Sequence, residues 1–410
     1  MARSIVRAAV LSLLVVSSAY AGDMVSTQCR ETEVSLDPSH SVARLERCAD
    51  DERSSLLWHL DRIDQIQGQL DGVFDRRNGG AGSVVYVMDT GIMAAHSEFL
   101  SATGASRIIG GFDATRSVNI GHSLCVSSDK AIEPCFNGFE ELAAASHGTS
   151  VASIVAGRNV GVAPEAMIFS IRVMNERGLA TTRTYLDGLD AVIRHAWDPK
   201  SPTFRTGIVN ISGWVLERLT SNDGSQPVAF ATVERKMRDM ISGVDAHGRP
   251  DPTGKRFLFV VAANNTDGGC GDSGLIDRFP AILGTKLDGL ITVGGMTANN
   301  TAWMGGCRGG VEVLAPAQSI FSATITAADH FRGQKPNLRS GTSFAAPIIA
   351  GIAARLLADR ADLTPQQLEA WITATPSRIE SPSRQFADGK VAYVRSIAPG
   401  TSMASSRSAE

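Results

Sequence analysis

Apolar residues in this chain fall in short dense runs separated by polar, glycine-containing stretches. Ser83-Val84-Val85-Tyr86-Val87-Met88 is such a run and ends in Asp89-Thr90-Gly91, which predicts a buried strand feeding a turn. Ala166 to Val173, Ile208 to Ile211 and Phe257 to Ala263 read as further strands, with Leu290 to Gly294 and Val311 to Leu314 as shorter ones. Between them the spacing changes. Thr184 to Ala196 carries Leu186, Leu189, Val192 and Ile193 at helical intervals, a helix starts over Val151 to Ala156, and Phe344 to Leu357 reads as a helix rich in small residues. Strands alternating with helices imply right-handed crossovers, hence an α/β fold whose mostly parallel central sheet is covered by helices on both faces. Catalytic groups in such sheets gather beyond the carboxyl ends of the strands, and both Asp89 and Asn265 follow an apolar strand directly.

Other stretches lack this periodicity. Residues 22–53 are polar and irregular and read as an N-terminal extension or pro-segment. Residues 114–145 and 217–255 read as surface insertions, and 398–410 as a flexible tail rich in serine and alanine. The first residues pair Arg3 and Arg7 with a short apolar core, Ala8 to Val16, and Ala19-Tyr20-Ala21. That is the pattern of a secretory signal over residues 1–21, cleaved before Gly22, and it places the product outside the cell or in a periplasm. The apolar run is shorter than the roughly 20 residues a membrane span needs.

A chain of 410 residues with 43% hydrophobic and 20% charged residues can bury a large core. Its net charge of -3 points neither to nucleic acid nor to an anionic membrane as partner. Six cysteines, Cys29, Cys48, Cys125, Cys135, Cys270 and Cys307, follow the signal. An even count in an exported chain suggests disulfides, and six cysteines allow 15 pairings. Order along the chain favours Cys29–Cys48, Cys125–Cys135 and Cys270–Cys307.

Three short segments could carry chemistry together. Ser343 lies in Gly341-Thr342-Ser343-Phe344-Ala345-Ala346-Pro347, where a helix begins after a glycine turn. A serine there is usually a cap, but the backbone N–H groups around it can also hold an oxyanion if a base activates the hydroxyl. His147, in His147-Gly148-Thr149, is the base candidate, because imidazole titrates nearest neutral pH. His96 competes, but it stands only seven positions after Asp89 and has no glycine-threonine turn behind it. Asp89 can accept from the imidazole, fixing its tautomer. The order Asp, His, Ser is one of the known chain orders of this triad.

Asp89-Thr90-Gly91-Ile92, His147-Gly148-Thr149 and Gly341 to Pro347, in that order, resemble the signature motifs of the subtilisin-like serine proteases, and specifically the proteinase K branch. Trp58-His59-Leu60-Asp61-Arg62-Ile63-Asp64-Gln65 is similar to the start of the family's mature domain, and Gly161-Val162-Ala163-Pro164 and Ile171-Arg172-Val173 to the stretch after its histidine helix. The resemblance covers about 54–397. It implies a three-layer subtilisin-like peptidase domain and a serine endopeptidase acting on polypeptides as a monomer, with no cofactor and no membrane attachment after signal cleavage. It also implies that Asn265, in Val261-Ala262-Ala263-Asn264-Asn265, donates to the oxyanion, and that Cys270 and Cys307 stand where bacterial members place a disulfide. Substrate would pair between Met174 to Ala180, with Gly178 at the edge of the S4 region, and Asn210 to Trp214, with Ala262, Ala263 and Asn264 as further substrate-binding residues.

The chain departs from the family at several of these positions. Ser212-Gly213-Trp214 stands where the family usually has Ser-Leu-Gly-Gly, so Trp214 either narrows the primary pocket or points away from it. Asn264 replaces the usual glycine before the oxyanion asparagine, a position where asparagine tolerates left-handed backbone. Gly295-Met296-Thr297 stands where the family often has an acidic calcium ligand, so calcium is not expected at that position. These departures motivate a second reading, a degenerate family member that binds peptide or a partner without cleaving it. An esterase-type hydrolase is excluded by motif and by triad order.

Overall fold

The computed structural model describes residues 31–37, 40–45 and most of 56–394, with 121–145, 216–227, 326–337, 380–388 and a few shorter stretches excepted. The signal sequence, the tail, and Cys29, Cys48, Cys125 and Cys135 with their expected pairings lie outside the described residues. Residues 31–45, expected to be irregular, form a hairpin, β1 (Glu31–Asp37) and β2 (His40–Leu45), whose second strand pairs with β3 (Val73–Asp75).

The strands expected from apolar runs are present, each extended, shifted or trimmed by a residue or more. They are β4 (Val84–Asp89), β7 (Met167–Arg172), β8 (Thr206–Ile211), β9 (Arg256–Ala262), β10 (Leu290–Met296) and β11 (Val313–Pro316). Two strands join them at one edge, β5 (Ile108–Asp113) and β6 (Val118–Ile120). The sheet runs β11-β10-β9-β8-β4-β7-β5-β6, parallel throughout except for the edge pair β5–β6.

Alternation along each strand divides the core into two layers. Val85, Val87, Ile208, Leu258 and Val260 face α1 (Trp58–Ile63), α2 (His147–Ala156), α5 (Thr342–Asp359) and α6 (Pro365–Thr373). Tyr86, Met88, Val209, Phe259 and Val261 face α3 (Thr182–Trp197) and α4 (Val228–Ser242). The expected three-layer α/β fold is therefore the one adopted. Two further sequence expectations are corrected, because neither 114–145 nor 217–255 is wholly a surface insertion: Val118–Ile120 within the first is the edge strand β6 of the sheet. Within the second, α4 buries Phe230, Val233 and Met237 against β9. The surrounding charges, which made it look external, belong to the helix's outer face. The helix α5 is long and apolar enough to cross a membrane by composition, but it is the core helix of the sheet and is buried along nearly its whole length.

A carboxyl pair lies where α6 meets the sheet. Glu312 and Glu369 share a hydrogen bond, Thr292 N–H donates to Glu312 at 2.9 Å, and Gly289 N–H donates to Glu369. Burial pushes Glu312 up to about 8 and also raises Glu369. A proton held by the folded chain after the unfolded chain has released it stabilises the fold fully below the ordinary carboxyl range. That contribution is lost as pH rises through about 8. Glu312→Gln keeps an acceptor for Thr292 and a donor for Glu369. The variant is expected to show a flatter fall of Tm between mildly acidic and alkaline buffers, and a higher Tm than the parent at alkaline pH. Asp64, also pushed up to about 8 by burial, supplies part of the slope that remains. Thermal melts across pH check this, and an unchanged slope would rule out Glu312 as the titrating group.

Candidate active site

Asp89 ends β4, and Ser146, in left-handed backbone at φ 43°, turns the chain so that His147 opens α2. The two side chains meet: His147 Nδ1 lies 2.8 Å from Asp89 Oδ1, with the carboxylate fully buried and the imidazole a quarter exposed. Thr90 N–H also donates to Asp89 Oδ1, at 2.7 Å. The threonines beside each motif clip the loops together. Gly148 N–H donates to Thr90 Oγ1 and Met93 N–H to Thr149 Oγ1, both at 2.9 Å. Sequence reasoning missed both roles, although each threonine stands within two residues of a triad member. His96, the competing histidine, instead caps a short 3-10 turn by accepting from Glu98 N–H.

The glycine of His147-Gly148-Thr149 is required by this packing. A Cβ there would sit 2.2 Å from Gly91 O and 3.2 Å from the Asp89 side chain, and the first of those atoms is backbone that cannot rotate away. Gly148→Ala is therefore expected to force the two loops apart. Overpacking of this kind costs about 1–3 kcal/mol. Melting should show a lowered Tm, and any reaction that depends on the Asp89–His147 pair should slow by at least roughly 100-fold, the effect of displacing a positioned group by about 1 Å. A variant with parental Tm and rate would disprove the steric account.

Ser343 is the second residue of α5, which follows Gly341 at φ 152°. Its surroundings follow from Pro347. Proline has no N–H, so the Ser343 carbonyl lacks its helical donor four residues on. Ser212 Oγ fills the gap, donating to Ser343 O at 2.9 Å, and is itself held by Asn210 Nδ2 at 3.0 Å. In return the Ser343 hydroxyl donates to Ser212 O at 3.1 Å. In this conformer the hydroxyl is bonded to Ser212 and not to His147. The histidine ring lies against the neighbouring Phe344, with ring centroids 5.3 Å apart. A turn about the Ser343 Cα–Cβ bond redirects the hydroxyl without moving the helix.

Asn265 is held from the same helix. Its Oδ1 accepts from Thr342 N–H at 3.0 Å and Thr342 Oγ1 at 3.1 Å, which leaves Nδ2 as the free donor beside Gly341. Asn264 before it adopts the left-handed backbone expected of it, φ 72°. The segment is tied on its far side, where Cys307 N–H donates to Asn264 O and Cys307 is bonded to Cys270 as the sequence order favoured.

Beside these groups lie the ends of two adjacent strands. Parallel β8 and β9 are in register at Ile211 and Val261. The space beside Gly213 is taken by Met174, whose Cε, the end of a flexible side chain, lies 2.0 Å from where a Cβ would stand. Met174 therefore fills the space where the resemblance led us to expect a leucine. Trp214 is half-buried. Gly178, φ 72°, has open space where its Cβ would be, and Ala180 bridges to Val215, so 178–180 lies beside the end of β8.

The same ordered segments are recognised in known proteins. Residues 80–391 match the family model described as the subtilase family. Alkaline serine exoprotease A of Vibrio alginolyticus is 29% identical over 84% of this chain and 50% of its own length. An extracellular serine proteinase of a Thermus species is 28% identical over 81% and 65%. The chain thus spans half to about two thirds of the length of these curated relatives. Among solved structures, a cold-adapted subtilisin-like serine proteinase aligns at TM-score 0.58 and 26% identity, over 83% of this chain and 98% of its own.

Proposed function

The chain belongs to the subtilase family, and from that membership we propose that it is an exported serine endopeptidase cleaving polypeptides through Asp89, His147 and Ser343. The observation that carries the reading is the buried Asp89–His147 bond of 2.8 Å, with that imidazole packed against Phe344, the residue after Ser343 at the start of α5. Ser343 Oγ attacks the peptide carbonyl while His147 Nε2 takes its proton. Asp89 holds Nδ1 and stabilises the imidazolium, and His147 then protonates the leaving amine. The Ser343 N–H and Asn265 Nδ2 receive the oxyanion. Water, deprotonated by His147, releases the acyl group from Ser343. Each step uses only groups of this chain and water, so the mechanism calls on no cofactor. Export is supported by the signal-like N-terminus and by the name of the extracellular Thermus relative.

A fluorophosphonate probe tests the reading, since it reacts only with an activated serine. The signal-free protein should take up label and the Ser343→Ala variant none. Uptake only after removal of the residues before Ser54 would mark that segment as inhibitory. No uptake by either folded form would overturn the proposal in favour of a peptide-binding, non-cleaving protein.

A further inference from the structure

Asn210 is an amide inside the sheet. It lies on β8 between Val87 of β4 and Val260 of β9, on the face that packs against α5, and is fully buried. Its Nδ2 stands 3.0 Å from Ser212 Oγ, and its Oδ1 is buried without a hydrogen-bond partner. A buried acceptor left unpaired destabilises a fold, so stability alone does not account for an amide here. The direction of its bond to Ser212 is dictated from the far end. Ser343 O can only accept, and Pro347 has no N–H to give it. The single hydrogen of Ser212 Oγ therefore goes to Ser343 O, 2.9 Å away, and the group that meets Ser212 Oγ from within the strand must donate. The Asn210 amide does so through Nδ2; turned over, it would set oxygen against oxygen. The orphan Oδ1 follows from that orientation.

We propose that Asn210 is a positioning residue for the nucleophile. By donating to Ser212 Oγ it commits the Ser212 hydrogen to the Ser343 carbonyl, and so holds the first turn of α5, with the Ser343 N–H and hydroxyl, against β8. This rests on the peptidase reading above. Asn210 is sealed from solvent and meets no substrate, so its effect passes through Ser212.

Asn210→Asp is nearly isosteric and tests the direction of the chain of bonds. Protonated, the introduced carboxyl donates to Ser212 Oγ as the amide does. Ionised, it only accepts, takes the Ser212 hydrogen and leaves Ser343 O without a donor. Burial raises the pKa of such a carboxyl. So does the charge of Asp89, two residues beyond Val87 on the same face of β4, whose partner is His147. The other charged groups on these elements, Arg256 at the start of β9 and Arg355 and Asp359 late in α5, stand at the opposite ends of them. Relative to the parent at each pH, kcat of Asn210→Asp should lie within about 3-fold in acid and fall by roughly 10- to 100-fold as the carboxyl ionises, with KM unchanged. Asn210→Leu, which donates at no pH, should lose kcat by about 10-fold at every pH. In a Ser212→Ala background Asn210→Asp should add no alkaline fall, because the hydroxyl that carries the effect is gone. With the parent labelled normally by fluorophosphonate, parental kcat in Asn210→Leu and a parental pH profile in Asn210→Asp would overturn the inference and leave the peptidase reading standing. So would an alkaline fall that persists in the Ser212→Ala background, or losses of kcat that only track losses of Tm. If Asn210→Asp does not fold, Asn210→Leu decides: lowered kcat at parental Tm and KM upholds the role and parental kcat overturns it. A parent that takes up no label sinks the peptidase reading and the positioning role with it.

Discussion

Replacing Ser343 by Ala should lower kcat on any peptide the parent cleaves by about 10⁴- to 10⁶-fold, the scale on which removing a triad member acts in subtilisin, a member of the same family. KM should change little, because the substitution removes one hydroxyl and leaves the neighbouring side chains in place. The Ser343 hydroxyl has one hydrogen bond in this conformer, to Ser212 O, while the reverse bond from Ser212 Oγ goes to the Ser343 carbonyl and survives the substitution. Tm should therefore fall by no more than the loss of one hydrogen bond, about 1 kcal/mol. His147→Ala should cost a similar factor, and the double variant little more than either single one, since nucleophile and base act as a unit. Steady-state kinetics on the three variants decide the matter. Independent, multiplying losses would mean that His147 and Ser343 do not act in one proton-transfer step.

Asn265→Ala should lower kcat by about 100- to 1000-fold with KM nearly unchanged, because the lost donor serves charge that develops only in the transition state. Again the scale is that of subtilisin. A second effect follows from the clamp on α5. Asn265 Oδ1 accepts from both Thr342 N–H and Thr342 Oγ1, so its removal leaves the first turn of the helix without that partner. Asn265→Asp separates the two roles, because a carboxylate keeps the Thr342 contacts but donates nothing to an oxyanion. It should be as slow as the alanine variant and melt closer to the parent. If Asn265→Asp keeps parental kcat, Asn265 is a helix clamp and not an oxyanion donor.

The main strands were legible from their apolar runs because a sheet covered on both faces needs unbroken hydrophobic strands, as in Val84 to Met88 and Phe257 to Ala262. The helices α3 and α5 were legible from spacing and from small residues. The elements that were misread or missed have weaker periods. In α4 the surface charges mask Phe230, Val233 and Met237, and β5 is broken up by glycines at 110 and 111. The hairpin β1–β2 carries no sustained alternation that could set it apart from loop.

The candidate site divides in the same way. Asp89, His147, Ser343 and Asn265 could be singled out in the sequence because each stands in a glycine-containing or strand-end motif, and the backbone constraint shows in residue type. Asn264 too was marked by its place before Asn265, and its left-handed backbone was foreseen. Sequence by itself determined the layer architecture, the order of the triad candidates and the turn positions, because those depend on local pattern. Only the tertiary structure decided that Ser212 supplies the donor Pro347 withholds from Ser343, that Met174 fills the place at Gly213, and that the Asn264 amide is buried without a partner. Those are contacts between segments tens to more than a hundred residues apart, and whether a polar atom is satisfied is settled by what the fold brings next to it.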